Sequence, residues 1–137
     1  MSYIPIPMYL SEIDQRYRLV GKKCKKCEKI NFPPRKVCKF CGSLEFEDYK
    51  LSGNGEVYSY TIIQARGGTP TEFREQHTMS GNYGVAIIQL DEGPRVVAQL
   101  TDCDPEKIEI GMKVKATVRR IYEQEGIVRY GYKFRPT

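Results

Sequence analysis

Four cysteines in two Cys-x-x-Cys pairs constrain this chain more than any other feature. The sequence reads Cys24-Lys-Lys-Cys27, then ten residues, then Cys38-Lys-Phe-Cys41-Gly42. Each pair can close a tight turn around a tetrahedral ion, and four thiolates suit zinc. Gly42 follows the second pair, where a residue that tolerates positive φ is useful. We predict one structural zinc ion bound by Cys24, Cys27, Cys38 and Cys41, with iron as the main competing metal.

Other uses of these cysteines fit less well. The chain contains five cysteines, an odd number that argues against a disulfide framework. A redox pair would need a βαβ context, which the pattern lacks. The N-terminus does not read as a signal peptide, and no apolar run reaches the roughly 20 residues that span a membrane. We therefore expect a cytoplasmic protein with reduced thiols and no membrane segment.

The predicted fold class is mainly β, in three segments of the 137-residue chain. Residues 1–21 are an N-terminal arm and helix, residues 22–50 a rubredoxin-like zinc ribbon, and residues 51–137 an OB-fold domain. A unit the size of the ribbon, below about 40 residues, rarely buries enough apolar surface to fold alone. A metal ion would supply the stability that its small core cannot.

The N-terminal segment is predicted to contain one short helix. Residues 1–10 read as an extended arm with two prolines, Ser11 as the N-cap and Gly21 as the stop. Apolar residues recur at helical spacing at Leu10, Ile13, Tyr17 and Val20. The resulting apolar face suits docking either on the rest of the chain or on a partner.

Residues 53–137 carry the patterns of β-strands. The five predicted strands are residues 56–63, 83–90, 94–101, 113–122 and 127–134. The turn Asp91-Glu92-Gly93 predicts a hairpin between the second and third strands. The connection at residues 104–111 has room for a helical turn. Five short strands with this insertion predict a closed five-stranded OB-fold barrel, and an open sheet is the alternative.

One connection, residues 65–82, is longer than is usual in a compact domain. It contains Arg66, Arg74 and His77 together with several glycines. Connections of this length are commonly either functional or disordered.

Charge is unevenly distributed along the chain. The whole net charge of +5 lies in residues 1–50, which contain 11 Lys/Arg and 6 Asp/Glu, whereas residues 51–137 contain 11 of each. The basic segment is either an ordinary solvated surface or a region that attracts a phosphate-bearing ligand or an acidic partner.

The residues of a catalytic centre are missing from the sequence. His77 is the only histidine, which excludes a His-based metal site or proton relay. Cys103 lies between Asp102 and Asp104, whose charges should raise its pKa rather than activate it. The chain contains no GxSxG, P-loop or GxGxxG motif. We predict a protein that is not an enzyme.

Several further motifs occur in a specific order around the cysteines. They are Phe32-Pro33-Pro34-Arg35 and residues 55–61, 85–93, 111–114 and 134–136. With these motifs the chain resembles, over nearly its whole length, the DUF35 family of zinc-ribbon/OB-fold proteins. It is most similar to the archaeal members that join acetoacetyl-CoA thiolase to hydroxymethylglutaryl-CoA (HMG-CoA) synthase, early in the mevalonate pathway.

The resemblance implies a non-catalytic subunit of an enzyme complex. The ribbon and helix would contact the two enzymes, and the barrel would help to hold the CoA moiety of an acyl-CoA. It supplies no set of CoA-binding residues that can be carried over position by position. We predict Arg66, Arg74 and Arg135 on chemical grounds, because arginines in or beside loops can contact CoA phosphates in a bidentate manner.

The alternative function is that of a nucleic-acid-binding zinc-ribbon/OB-fold protein. The basic ribbon and the aromatic stripe of Tyr130, Tyr132 and Phe134 suit base stacking, although such a stripe is also typical of a barrel core. Tyr58 and Tyr60 are similarly ambiguous. The neutral β segment argues against nucleic acid, because single-strand-binding OB-folds line their grooves with positive charge.

Overall fold

The computed structural model describes residues 6–64, 81–124 and 126–137. Its elements follow the chain in this order: α1 (Ile6–Ser11), α2 (Ile13–Tyr17), β1 (Val20–Cys24), β2 (Ile30–Asn31), β3 (Phe46–Lys50), β4 (Asn54–Ile63), β5 (Tyr83–Leu90), β6 (Arg95–Gln99), β7 (Lys113–Gln124) and β8 (Ile127–Pro136). A single 3-10 turn, Pro105–Lys107, lies in the connection where a helical turn was predicted. The strands form a three-stranded sheet, β2-β1-β3, and a five-stranded sheet, β6-β5-β4-β7-β8.

The predicted boundaries of the N-terminal helix are wrong. Two short helices replace the single one, and Ser11 ends α1, where its Oγ donates to the Met8 carbonyl at 2.8 Å. Residues 6–10 are helical rather than extended, and residues 1–5 lie outside the described part. Leu19 takes a left-handed φ of 54°, so Val20 and Gly21 begin β1 instead of ending a helix. None of the described helices is long and apolar enough to cross a membrane.

Gly21 has a packing role in β1. A Cβ at this position would lie 3.1 Å from the Asn31 carbonyl oxygen and 3.4 Å from the Phe32 ring. The contact is tighter than nine in ten real Cβ contacts, so a larger residue would need its neighbours to shift by a few tenths of an ångström. Glycine at this position suits the close approach of β1 to β2 and does not mark a helix end.

The five-stranded sheet curls into a nearly closed barrel. Neighbouring strands are antiparallel, and a parallel bridge between Leu100 and Phe134 brings the end of β6 to β8. The Thr101 N–H donates to the Phe134 carbonyl at 2.8 Å at the same place. This order with its parallel closure is that of an OB-fold. The predicted fold class is confirmed, and the open-sheet alternative is wrong.

One hydrophobic core serves the ribbon and the barrel. Leu19 and Phe32 from the ribbon side are 6% exposed and pack with buried residues of the barrel. The fully buried barrel residues include Val57, Ile88, Leu90, Val114 and Phe134. The division at 21/22 and 50/51 stays a prediction, and the segments on either side of it share this core.

Candidate functional site

The four predicted metal ligands come together at one point of the ribbon. Cys24 ends β1, Cys27 follows it in a turn, and Cys38 and Cys41 lie on the loop before β3. Their Sγ atoms all lie within 4.8 Å of one another, with 3.5 Å between Cys24 and Cys41 and 3.6 Å between Cys27 and Cys38. No cysteine of the chain forms a disulfide.

The sulfur positions fit a tetrahedral zinc ion. Thiolates bound to zinc at about 2.3 Å lie roughly 3.8 Å apart, close to the observed separations. Four soft thiolates are a ligand set of structural zinc sites. Because the protein fills all four positions, the ion has no open position for a substrate or a reactive water, and its contribution is to folding.

The two cysteine turns share one backbone geometry. In each turn, a backbone N–H four residues after the first cysteine of the pair donates to the carbonyl of that cysteine. The Glu28 N–H donates to the Cys24 carbonyl at 3.0 Å, and the Gly42 N–H donates to the Cys38 carbonyl at 2.9 Å. Glu28 has a φ of 59° and Gly42 a φ of 75°. The positive φ predicted at Gly42 is confirmed, and the first turn uses the same conformation without a glycine.

Polar contacts favour the ionised form of Cys38. Burial opposes ionisation of this thiol, but the N–H groups of Phe40 and Cys41 and the Asn31 amide outweigh it and lower its pKa to about 6. Asn31 is fully buried; its Nδ2 lies 3.5 Å from Cys38 Sγ, and its Oδ1 accepts from the Lys39 N–H at 3.2 Å. Asn31 therefore orients a ligand, as outer-shell residues of metal sites commonly do.

We expect Gly42→Ala to destabilise the zinc-loaded protein by about 1 kcal/mol, because a Cβ is disfavoured at positive φ. Apart from its chain neighbours, no atom of the described residues lies within 4 Å of the position that the Cβ would take, so the effect comes from the backbone. Denaturant unfolding would measure it. The converse substitution, Glu28→Gly, should stabilise the protein slightly or leave it unchanged. A loss of stability in Glu28→Gly equal to that in Gly42→Ala would contradict this account.

A second candidate region is a cavity of about 360 Å³ beside β8. Gln15 of α2, the pair Phe32 and Pro33, and residues of β6, β7 and β8 form its walls. Arg129 and Lys133 belong to the lining and are only 5% and 7% exposed. The cavity follows the seam where β6 meets β8, at the side of the barrel that faces the ribbon.

The electrostatics beside this cavity are cationic. Burial lowers the pKa of Lys133, and the neighbouring Arg119 guanidinium lowers it further. Arg119 donates to the Asp102 carboxylate at 2.8 Å, and this hydrogen bond lowers the pKa of Asp102. Asp102 is therefore engaged by Arg119.

Of the three arginines predicted to bind CoA, only Arg135 lies in the described part of the chain. Arg66 and Arg74, together with His77, fall in residues 65–80, outside the described residues. Arg135 lies within β8 rather than beyond the last strand, is exposed, and pairs with Lys115 across the β7–β8 ladder. The grouping of the three arginines stays a prediction.

Cys103 has the raised pKa that the sequence indicated. Its pKa is raised, first by burial and then by the charges of Asp102 and Asp104. Burial is the larger cause, which the sequence did not reveal. A thiol held in its neutral form is a poor nucleophile.

The aromatic stripe of the last strand divides between core and surface. Phe134 is fully buried, and Tyr132 packs edge-on against it with ring centroids 5.9 Å apart. Tyr130 is 49% exposed, and Tyr58 and Tyr60 on β4 are 50% and 39% exposed. Of the predicted stripe, Phe134 is therefore part of the core, and Tyr130 keeps a half-exposed ring.

Sequence reasoning missed Asn31, Arg129 and Lys133. Asn31 carries no motif of its own. Arg129 and Lys133 alternate with the core-facing residues of β8, a position that normally faces water in an antiparallel sheet. α2 packs against β8, and Phe32 and Pro33 line the same cavity as these two residues. No sequence pattern near these residues indicates that they are buried.

A zinc ribbon joined to an OB-fold barrel defines the class of this protein. Residues 11–47 match the family model described as the ChsH2 rubredoxin-like zinc ribbon domain, and residues 48–119 match the ChsH2 C-terminal OB-fold domain. A DUF35 domain-containing scaffold protein of Methanocaldococcus jannaschii is 44% identical over 90% of this chain and 85% of its own length. The chain belongs to the DUF35 family of zinc-ribbon/OB-fold proteins.

Two further relatives bear on function. A benzoylsuccinyl-CoA thiolase subunit of Thauera aromatica is 32% identical over 85% of this chain and 75% of its own length. A chain of the solved Ltp2-ChsH2(DUF35) aldolase superposes with a TM-score of 0.71 and 30% identity, covering 99% of this chain and 98% of that one. Both matches include the ribbon and the barrel together.

Proposed function

We propose that this protein is a non-catalytic, acyl-CoA-binding scaffold subunit that joins acetoacetyl-CoA thiolase to HMG-CoA synthase in the mevalonate pathway. The observation that carries the proposal is the match of nearly the whole chain to proteins named as scaffolds and as a thiolase subunit. The pathway and the pair of enzymes come from the resemblance to archaeal family members. The proposed location is the cytoplasm, where zinc thiolates stay reduced.

The chemistry of the described residues supports a role without catalysis. The zinc site is closed by four cysteines, and the Cys103 thiol is held neutral. Thiolase chemistry needs an activated nucleophile with a base beside it. The chain supplies a single histidine, His77, and no such pair in its described part. The catalytic residues would therefore come from the partner enzymes.

Nucleic-acid binding is the second candidate. The Arg95 guanidinium lies 3.8 Å from the ring centroid of the half-exposed Tyr58, a platform on which a base could stack. Phe134 of the predicted stripe is buried and is not available to a base. The net neutrality of residues 51–137 also disfavours a phosphate backbone. We place this candidate second.

Affinity purification of the tagged protein from its native host tests the proposal. We expect the thiolase and the synthase to co-purify, the isolated subunit to show no turnover of acetoacetyl-CoA or acetyl-CoA, and the complex to bind CoA. Arg135→Ala should weaken CoA binding by the complex by about 1.5–3 kcal/mol, the worth of a charge-assisted contact. Lys107→Ala, which removes an 82% exposed cation of the 3-10 turn, is the control.

Different outcomes would reject different parts of the proposal. Nucleic acid absorbing at 260 nm in place of the two enzymes would favour the second candidate. Turnover by the isolated subunit that disappears in Cys103→Ser would overturn the non-catalytic role. CoA affinity unchanged in Arg66→Ala, Arg74→Ala and Arg135→Ala complexes alike would reject these three arginines while leaving the scaffold role intact.

A further inference from the structure

The four cysteines of the zinc ribbon differ in their access to solvent. Cys24 and Cys38 are buried, at 0% and 3% exposure, and Cys27 is half-buried. Cys41 is exposed. Next to it, apart from the chain neighbours, no described residue lies within 4 Å of the place that a Cβ of Gly42 would take, so the loop is open to solvent there too. One ligand of the metal site is therefore accessible from outside, and the other three are wholly or partly covered.

An exposed zinc ligand is also a reactive sulfur. Zinc binds cysteine as the thiolate, which is the form that reacts with oxidants. Susceptibility to oxidation follows thiolate character and exposure together. All four ligands share the thiolate character when the ribbon is loaded, so exposure decides among them and favours Cys41. Cys103, the remaining cysteine, is half-buried and lies outside the cluster, so it has neither property.

A second thiolate lies beside Cys41. The Sγ atoms of Cys41 and Cys24 are 3.5 Å apart, and an S–S bond of about 2 Å needs only a small further approach. Cys24 is fully buried, so it can react with a sulfur of the ribbon but is shielded from solvent. Cys27 and Cys38 form a similar pair at 3.6 Å, but neither of them is exposed. An accessible thiolate beside a resolving cysteine is typical of redox sensors.

We propose that Cys41 is an oxidation site, at which hydrogen peroxide converts Cys41 and Cys24 to a disulfide and the zinc ion is released. The Cys41 thiolate first attacks one oxygen of the peroxide; an S–O bond forms, the O–O bond breaks and hydroxide leaves. The Cys24 thiolate then attacks the sulfur of the resulting sulfenic acid; the S–S bond forms and a second hydroxide leaves. The two thiolates lose two electrons, and the peroxide gains them.

The disulfide should destabilise the ribbon. Cys27 and Cys38 alone supply only two of the four thiolates of the structural site. Because the free energy of zinc binding is folding free energy, the oxidised ribbon should unfold and expose Leu19 and Phe32, which it shares with the core of the barrel. Reduction of the disulfide in the presence of zinc would restore the fold. The ribbon would thus be a reversible peroxide-sensitive switch, and this role is independent of acyl-CoA binding.

Peroxide treatment of the full zinc-loaded chain tests this site. Absorbance of the zinc indicator 4-(2-pyridylazo)resorcinol would follow metal release, and mass spectrometry of unreduced peptides would locate the disulfide. We expect release of about one zinc ion for each disulfide formed, a disulfide that joins Cys24 to Cys41, and recovery of metal binding after dithiothreitol and zinc are added. Cys103→Ser, which removes the cysteine outside the cluster, should release zinc at the wild-type rate.

A matched pair of histidine substitutions separates exposure from metal binding. Histidine also ligates structural zinc together with three cysteines, so Cys41→His and Cys27→His should both keep the metal, which elemental analysis would measure. Cys41→His removes the exposed thiolate and should slow peroxide-driven zinc release at least about tenfold. Cys27→His keeps both reacting sulfurs and should release zinc within about twofold of the wild-type rate.

Three results would overturn the proposal. Zinc release with a disulfide between Cys27 and Cys38, or with no disulfide at all, would reject the reaction of Cys41 with Cys24. Equal release rates in Cys41→His and Cys27→His would show that exposure of Cys41 does not decide the reaction. Retention of zinc by the wild-type chain in excess peroxide would reject the switch itself. Because the disulfide is located in the wild-type chain, the proposal can be rejected even where a histidine variant does not bind zinc.

Discussion

Cys38→Ser is expected to lose the metal and unfold the zinc ribbon. The Cys38 side chain is 3% exposed, its Sγ lies 3.6 Å from Cys27 Sγ, and the Asn31 amide donates to it. A serine hydroxyl at this position does not supply the thiolate that the zinc site uses. Binding of a structural zinc ion contributes about 10–16 kcal/mol in isolated zinc-finger peptides, and that free energy is folding free energy. Because total stability of a domain is only about 5–15 kcal/mol, the ribbon should not survive the loss.

Loss of the metal should destabilise the barrel as well as the ribbon. Phe32, the residue directly after β2, is buried in the core that the ribbon shares with the barrel. Elemental analysis and thermal unfolding of Cys38→Ser would measure metal content and the fall in Tm. Cys103→Ser, a cysteine outside the cluster, should keep both unchanged. Less than about half an equivalent of metal in gently purified wild-type protein would defeat the zinc assignment.

The features that were predictable from the sequence are set by local rules. The ligand spacing that places four cysteines around one ion is contained within 18 residues of chain, from Cys24 to Cys41. The observed bounds of β5 coincide with the predicted ones, because turn-forming residues flank the strand-like sequence at both ends. The hairpin after β5 follows from Gly93, which adopts a φ of 108°.

The features that were not predictable depend on tertiary cover. The apolar spacing around Leu10 predicted a single helix, yet the chain forms two short helices in this segment. Leu10 itself is 57% exposed. The left-handed Leu19 that redirects the chain into β1 has no sequence signal, since φ of this sign is unusual for a leucine. The burial of Lys133 likewise follows from elements distant in sequence that cover its strand.

The aromatic stripe shows why alternation alone does not assign a function. Tyr130 and Phe134 lie on the same face of β8 by period two, yet one is 49% exposed and the other fully buried. A β-bulge between Arg120 and Tyr122 shifts the register of the pairing between β7 and β8, in the part of β8 that lies away from its contact with β6. Position relative to the closed part of the barrel, rather than residue type, decides whether an aromatic ring is core or surface.

Phe134→Ala should destabilise the protein by about 3–5 kcal/mol, because it removes a fully buried ring from the core and leaves a space that the barrel cannot refill. The ring packs edge-on against Tyr132, and its backbone carries both contacts that close the barrel, the bridge to Leu100 and the hydrogen bond from Thr101. Denaturant unfolding monitored by far-UV circular dichroism would give the change in free energy.

Tyr130→Ala is the matched control for this prediction. It truncates an aromatic residue on the same strand and the same nominal face, but at 49% exposure the ring adds less buried area to the core. We expect a loss of no more than about 1 kcal/mol in this control, within the usual range for a substitution outside the core. Equal losses of stability in the two variants would contradict the assignment of Phe134 to the barrel core and of Tyr130 to its surface. A large loss in Phe134→Ala alone would support it, because only Phe134 occupies the point at which the end of β6 meets β8.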